Sequence, residues 1–260
     1  MIHLAEATAL AVLLLFLGML VCSEIGRRIA RVRLARDPDG AKSGAGAVDT
    51  AVFGLLGLMI AFTFSGAASR FEARRHLVSD EANTIGTAYL RLDLLPSDAQ
   101  PALRALFRRY VDARVATYRD VDDIDHARAR LDAGVALQSA IWTQSVAACS
   151  RTGVESRACL LLLPALNDMI DITTTRATAT QNHPPVVIFV LLGALCLLGA
   201  LLVGYGTAIG RERSWLHTTT FAATLALSVF VIVDLEFPRL GLIRIDQADQ
   251  VLIELGKTMR

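Results

Sequence analysis

The sequence predicts an all-α fold: four transmembrane spans, with a helical extramembrane domain between spans 2 and 3. Three observations carry this. The 260 residues are 53% hydrophobic with a mean hydropathy of +0.47, more apolar than an ordinary soluble domain. Predominantly apolar stretches long enough to cross a bilayer occur at 3–22, 48–66, 184–206 and about 215–234. Between them, residues 67–183 hold fourteen Arg against fourteen Asp plus Glu, with apolar residues at helical spacing and no useful alternating pattern.

Taken in order, the first span has an uncharged core from Ala7 to Cys22, with Glu6 at its edge. No Lys or Arg precedes it, so it reads as a retained span rather than a cleaved secretory signal. Residues 23–47 read as a basic linker, with Arg27, Arg28, Arg31, Arg33, Arg36 and Lys42 against Glu24, Asp37 and Asp39. Such a linker sets topology, and it can also meet the anionic headgroups of membrane lipids. Its AKSGAG stretch lacks the spacing and the preceding strand of a phosphate loop.

Span 2, 48–66, runs on without a proline until Pro96 and predicts one long helix leaving the membrane near Gly66. Ala47, Gly54, Ala61 and Ala68 recur at heptad spacing, with Ala51 and Ser65 on the same face. Small residues mark a packed face in lipid, where no hydrophobic force drives helices together. That face either contacts other helices of the same chain or lines a symmetric axis or pore. Beyond the membrane the helix becomes a stalk, with a seam of Phe71, Val78, Ala82, Ile85, Tyr89 and Leu92, in which Arg75 fills the one missing place.

Past Pro96, Ser97 or Asp98 can cap a helix carrying Leu103, Leu106, Tyr110 and Ala113. A second helix spans about 126–148, with Leu131, Val135, Ile141 and Val146. A third spans about 155–179, with Pro164 as a potential kink. Pro184 and Pro185 suit the start of span 3, in which Gly193, Cys196, Gly199 and Ala200 offer close-packing positions. The turn at 207–214 carries Arg211 and Arg213, and Trp215 anchors span 4 at the interface. An amphipathic tail, 236–260, docks on the helical region.

Domain organisation follows: 1–66, spans 1 and 2 with their linker; 67–183, the helical domain; 184–235, spans 3 and 4; and the tail. The linker and the 207–214 turn bring six plus two basic residues to one membrane face. The other face has six near its span ends: Arg70, Arg74, Arg75, Arg176, Arg239 and Arg244. The count puts the linker in the cytoplasm and the helical domain outside. Cys149 and Cys159, on either side of a glycine-containing turn, are consistent with that side; they form either a disulfide, which needs an oxidising compartment, or two buried thiols.

Three pieces, AFTFSGAASRFEARRHLVSDEANTIGTAYLRLDLLP, GYGTAIGR and VDLEFPRLGLIRIDQ, together resemble the bestrophin-like family of bacterial membrane proteins. The resemblance covers roughly residues 48–96 and 204–250. By analogy with true bestrophins it implies a homo-oligomeric, anion-conducting channel with four spans per subunit, in the cell inner membrane, with inorganic ions and membrane lipids as partners. The chain departs from bestrophins in two ways. Phe62, Phe64 and Phe71 are the only aromatics near the expected pore neck, and the charge count places the helical domain outside rather than in the cytosol. The alternative function is a membrane-anchored interaction or sensing protein without a pore.

No catalytic motif, cofactor motif or metal-ligand spacing is present, so neither an enzyme nor a metal site is expected. The net charge of +1 gives no field for nucleic acid. DVDDIDH, Asp120 to His126, has calcium-type oxygen ligands but lacks the loop glycine and the terminal glutamate, and reads better as a solvated turn. The second constellation is ionic: Arg70, Arg74 and Arg75 leave span 2 on the side where Asp234 and Glu236 leave span 4. They form either a structural ion pair between the spans or a charged vestibule that attracts anions.

Overall fold

A computed structural model of the chain describes residues 2–37, 45–119, 124–209, 215–239 and 241–259. Eight helices and one 3₁₀ turn account for nearly all of them, with no strand among the described residues. They are α1 (Ile2–Arg36), α2 (Ala45–Leu90), the turn (Arg91–Leu94), α3 (Gln100–Arg119), α4 (Ile124–Cys149), α5 (Ser156–Gln181), α6 (Val186–Ile209), α7 (Trp215–Glu236) and α8 (Asp246–Thr258). Helices apolar and long enough to cross a membrane number four among the described residues, as expected. The chain divides into a membrane unit, 2–71 with 183–243, and a helical unit, 72–182 with 244–260.

In the membrane unit, α1, α6 and α7 pack around Met19, Leu192, Leu195, Cys196, Ala200, Ala222 and Leu225, with Leu56 and Ala67 from α2. The closest approach is between α1 and α6. A Cβ at Gly26 would fall on the Leu201 carbonyl, and one at Gly204 on the Ser23 carbonyl, so only glycine lets the two backbones touch. Of the close-packing positions expected in span 3, Cys196, Gly199 and Ala200 are buried, whereas nothing stands over Gly193.

Two boundaries differ from expectation. The segment expected as a linker is helical as far as Arg36, because Glu24 bridges Arg27 and Arg28 one turn on and offsets the basic run. Thr207, Ala208 and Ile209, expected in a turn, belong to α6, and residues 210–214 lie outside the described residues.

In the helical unit the stalk seam is buried as its spacing predicts, with Val78, Ala82, Ile85 and Leu92 in the core and Arg75 exposed. Leu103, Phe107 and Tyr110 of α3, Ile141 of α4, and Leu162, Leu166 and Met169 of α5 close that core. Helix α8 does dock here: Leu252 is fully buried, and the Met259 carbonyl accepts from Tyr89 Oη and Arg108 Nη1. The membrane unit, however, keeps residues 236–243 of the expected tail.

Two further expectations are corrected, the α3 cap and the inner face of α4. Ser97 and Asp98 do not cap α3; they lie in the turn before it, and Asp98 pairs with Arg151. Leu131, Val135 and Val146 of α4 point outward, because its inner face is built from Gly134, Gln138, Ile141, Ser145 and Ala148. Pro164 lies inside α5 without ending it. Cys149 and Cys159 form a disulfide with Cα atoms 5.8 Å apart, closing the α4–α5 turn in which Gly153 adopts φ +90°. The side chains of DVDDIDH lie outside the described residues.

Candidate functional site: the open face of α2 and the charged ends of the spans

Helix α2 meets the membrane-unit core through Leu56 and Ala67, with Phe53, Met59, Ile60 and Phe71 partly buried beside them. That choice turns Gly54, Ala61 and Ser65 outward: all three are exposed, and no atom lies within 4 Å of a Cβ built on Gly54. Ala51 and Gly57 are exposed as well. Ala68 is the exception, half-buried against the core. Packing within the chain therefore does not account for the small residues at 54, 61 and 65.

The charged residues separate into distinct contacts. Arg70 is bound to Glu236: Nε donates to Oε1 at 2.8 Å, and Nη2 donates to the same oxygen. The other oxygen of Glu236 lies 3.3 Å from Nδ1 of His183, whose ring stacks on Phe237 with centroids 4.8 Å apart. Glu236 is 1% exposed, so its carboxylate is held by charge and hydrogen bonds rather than by bulk water. Asp234 takes no arginine among these contacts. Its two oxygens accept from the Leu242 and Ile243 amides at 2.9 and 2.7 Å, fastening the chain as it leaves α7. A Cβ on Gly241 would strike that carboxylate, which explains the glycine.

Arg74 and Arg75 belong to the helical unit. Arg74 donates to the Ala179 and Asn182 carbonyls, both at 3.0 Å, and so closes the C-terminal end of α5. Arg75 lies 3.5 Å from Glu72 on the exposed side of its own helix. Of the five charged residues singled out in the sequence, one pair, Arg70 and Glu236, is thus brought together in direct contact within a unit.

The helical unit also contains a charged centre that sequence reasoning missed. Glu81 is fully buried; one oxygen accepts from Arg114 of α3 and the other from Arg176 of α5. The available signal was a glutamate one position before Ala82, inside the apolar seam. Nearby, Gln138 donates to the Tyr110 hydroxyl at 2.9 Å. Burial pushes the Tyr110 phenol above its ordinary value, while Arg114 and the Gln138 hydrogen bond pull it the other way. No cluster of three His, Cys, Asp or Glu side chains suited to a metal occurs among the described residues.

A family profile described as a bestrophin-like domain matches residues 9–249. Solved structures of a bacterial bestrophin homologue from Klebsiella pneumoniae share the fold. One variant aligns with a TM-score of 0.69 at 13% identity, over 95% of this chain and 99% of that one. Another structure of the homologue gives 0.65 at 13% identity, over 93% and 98%. No curated protein sequence matches the chain.

Proposed function

The chain belongs to the bestrophin-like family of multi-pass membrane proteins, and from that premise we propose that it forms a homo-oligomer whose α2 helices surround a path for inorganic anions. One observation carries the reading: Gly54, Ala61 and Ser65 face away from every other span of their own chain. In lipid, a face of small residues gains nothing from burial as such and much from close approach of another backbone. Copies of α2 around an axis would supply that approach, or would leave between them a lumen lined by small side chains. Arg70 and Glu236 then act as a lock between α2 and α7 rather than as an open ring of positive charge, since Arg70 is bound to Glu236.

The test has two parts. The purified chain in nanodiscs is expected to be oligomeric, and planar-bilayer recordings are expected to show unitary currents altered by Gly54→Phe or Ala61→Phe. A monomer, or a well-folded oligomer that stays silent, rejects the pore and leaves the membrane-anchored interaction protein.

The orientation we propose places residues 67–183 outside the bacterial inner membrane and residues 23–47 in the cytoplasm. The Cys149–Cys159 disulfide supports this, because thiols are kept reduced in the cytosol. The basic count of eight against six points the same way. An Ala116→Cys variant should react with an impermeant maleimide applied to intact spheroplasts. Reaction only after permeabilisation reverses the assignment.

A further inference from the structure

Beside the Arg70–Glu236 pair, α2, α6 and α7 leave a cavity of about 190 Å³, lined by Met59, Phe62, Thr63, Arg70, Phe189 and Ile232 among others. Its walls are apolar except at one end. The Thr63 hydroxyl is already committed to the Met59 and Ile60 carbonyls, so the ion pair is the polar feature that remains. Two nitrogens of Arg70 donate to Glu236. The third, Nη1, lies over Gly66, 3.2 Å from where a Cβ would stand, and has no acceptor among the described residues. Gly66 thus lets the guanidinium lie flat on α2 with an edge toward the cavity. Pro184, just before α6, and Glu236, at the end of α7, also line this end, where α2 runs on past Gly66.

We propose that this cavity holds an anionic phospholipid, with its phosphate on Arg70 Nη1 and an acyl chain among Phe62, Phe189 and Ile232. Water gains little in a space with apolar walls, whereas hydrocarbon fits it without loss. The volume equals about six water molecules, enough for the upper part of one chain. Phe62 is 66% exposed, so the cavity communicates with the lipid around the spans. Glu236 does not repel the phosphate as a bare anion would, because Arg70 occupies Oε1 and His183 faces Oε2. An arginine at headgroup level prefers a net negative lipid over a zwitterionic one. The proposal is independent of whether the oligomer conducts.

Native mass spectrometry of the full chain, titrated in detergent with dioleoyl-phosphatidylglycerol or dioleoyl-phosphatidylcholine, tests it. Saturable retention of phosphatidylglycerol is expected at concentrations where phosphatidylcholine is lost. Arg70→Gln should weaken retention about fivefold, the effect of one basic residue at headgroup level. Thr63→Phe fills the cavity while leaving the Arg70–Glu236 pair in place, and should weaken it by a similar factor. It thereby keeps the test decisive if Arg70→Gln fails to fold. The proposal is overturned if Thr63→Phe retains phosphatidylglycerol like the wild type, or if the two lipids are held equally. It is also overturned if glycerophosphoglycerol, the headgroup without chains, competes as well as the whole lipid.

Discussion

Between Ala45 and Phe71, α2 turns Ala51, Gly54, Gly57, Ala61 and Ser65 outward and buries Ala67; between Glu72 and Leu90 it buries Ala82 and Ala88 in a core. The helix is continuous, yet its two halves obey different rules. In water, an apolar seam left open costs free energy, so Val78, Ile85 and Leu92 are covered by the chain itself. In lipid the same exposure costs nothing, and Leu55, Leu58 and Phe62 stay open without penalty. Exposed leucine in the first half therefore says little, while exposed glycine and alanine there say more, since they offer a partner an unusually close approach.

The comparison breaks most visibly at Glu81. Glu81→Gln leaves two buried guanidiniums facing a neutral amide. Removing one partner of a buried charge cluster costs about 3–5 kcal/mol. Thermal unfolding followed by Trp142 fluorescence should show the helical unit melting early. An unchanged transition would mean that the triad is dispensable and that the aqueous half rests on its apolar seam alone.

The Cys149–Cys159 bond is the next largest contribution. It closes a loop of ten residues' separation, for which chain entropy gives about 2–3 kcal/mol. Cys159→Ser, or reduction of the wild type, should lower the same transition by that amount. Reduction leaving the melt unmoved would indicate that the bond is absent from the purified protein, and would remove the main support for the external placement of this domain.

Within the membrane half, two glycines sharpen the contrast. Gly204→Leu drives a side chain into the Ser23 backbone, and overpacking of that kind costs about 1–3 kcal/mol or more. It should lower the thermal stability of the detergent-solubilised subunit. A Cβ at Gly54 has open space around it, so Gly54→Leu should leave subunit stability in place while the oligomer distribution, read by light scattering, shifts. If both variants behave alike, the open face of α2 has no special standing.

How far these features could be read beforehand depended on which residue types carried them. The spans and the stalk seam were legible, because long apolar runs and regular heptads leave few alternatives. The inner face of α4 was not. Ile141 was read correctly, but the rest of that face is Gly134, Gln138, Ser145 and Ala148, whereas the conspicuous Leu131 and Val135 lie outside. Hydrophobic periodicity cannot find a face made of small and polar groups. The convergence of Arg70 and Glu236 followed from where their spans end, but partner choice did not: Asp234 is two residues away and instead binds the Leu242 and Ile243 amides. Gly26 and Gly204 lie far apart in sequence, and nothing in either neighbourhood indicates that one faces Leu201 and the other Ser23.

The smallest effect concerns Tyr110, where the same polar face of α4 meets the core. Gln138 donates to its hydroxyl, and a neutral hydrogen bond of this kind contributes about 1 kcal/mol, the loss expected for Tyr110→Phe near neutral pH. The pH dependence has a definite sign. Burial raises the folded-state phenol above its unfolded value of about 10, so the folded chain holds this proton more tightly. That contribution is complete below the unfolded value and is lost as pH climbs through the folded one. Wild type and Tyr110→Phe should therefore converge in stability, and then cross, on the alkaline side. The difference in tyrosinate absorbance between them should rise only above pH about 10. A Tyr110 that ionises at its ordinary value would show that water reaches the α3–α4 contact, and that the aqueous half of the molecule is less tightly closed around its polar centre than around its apolar seam.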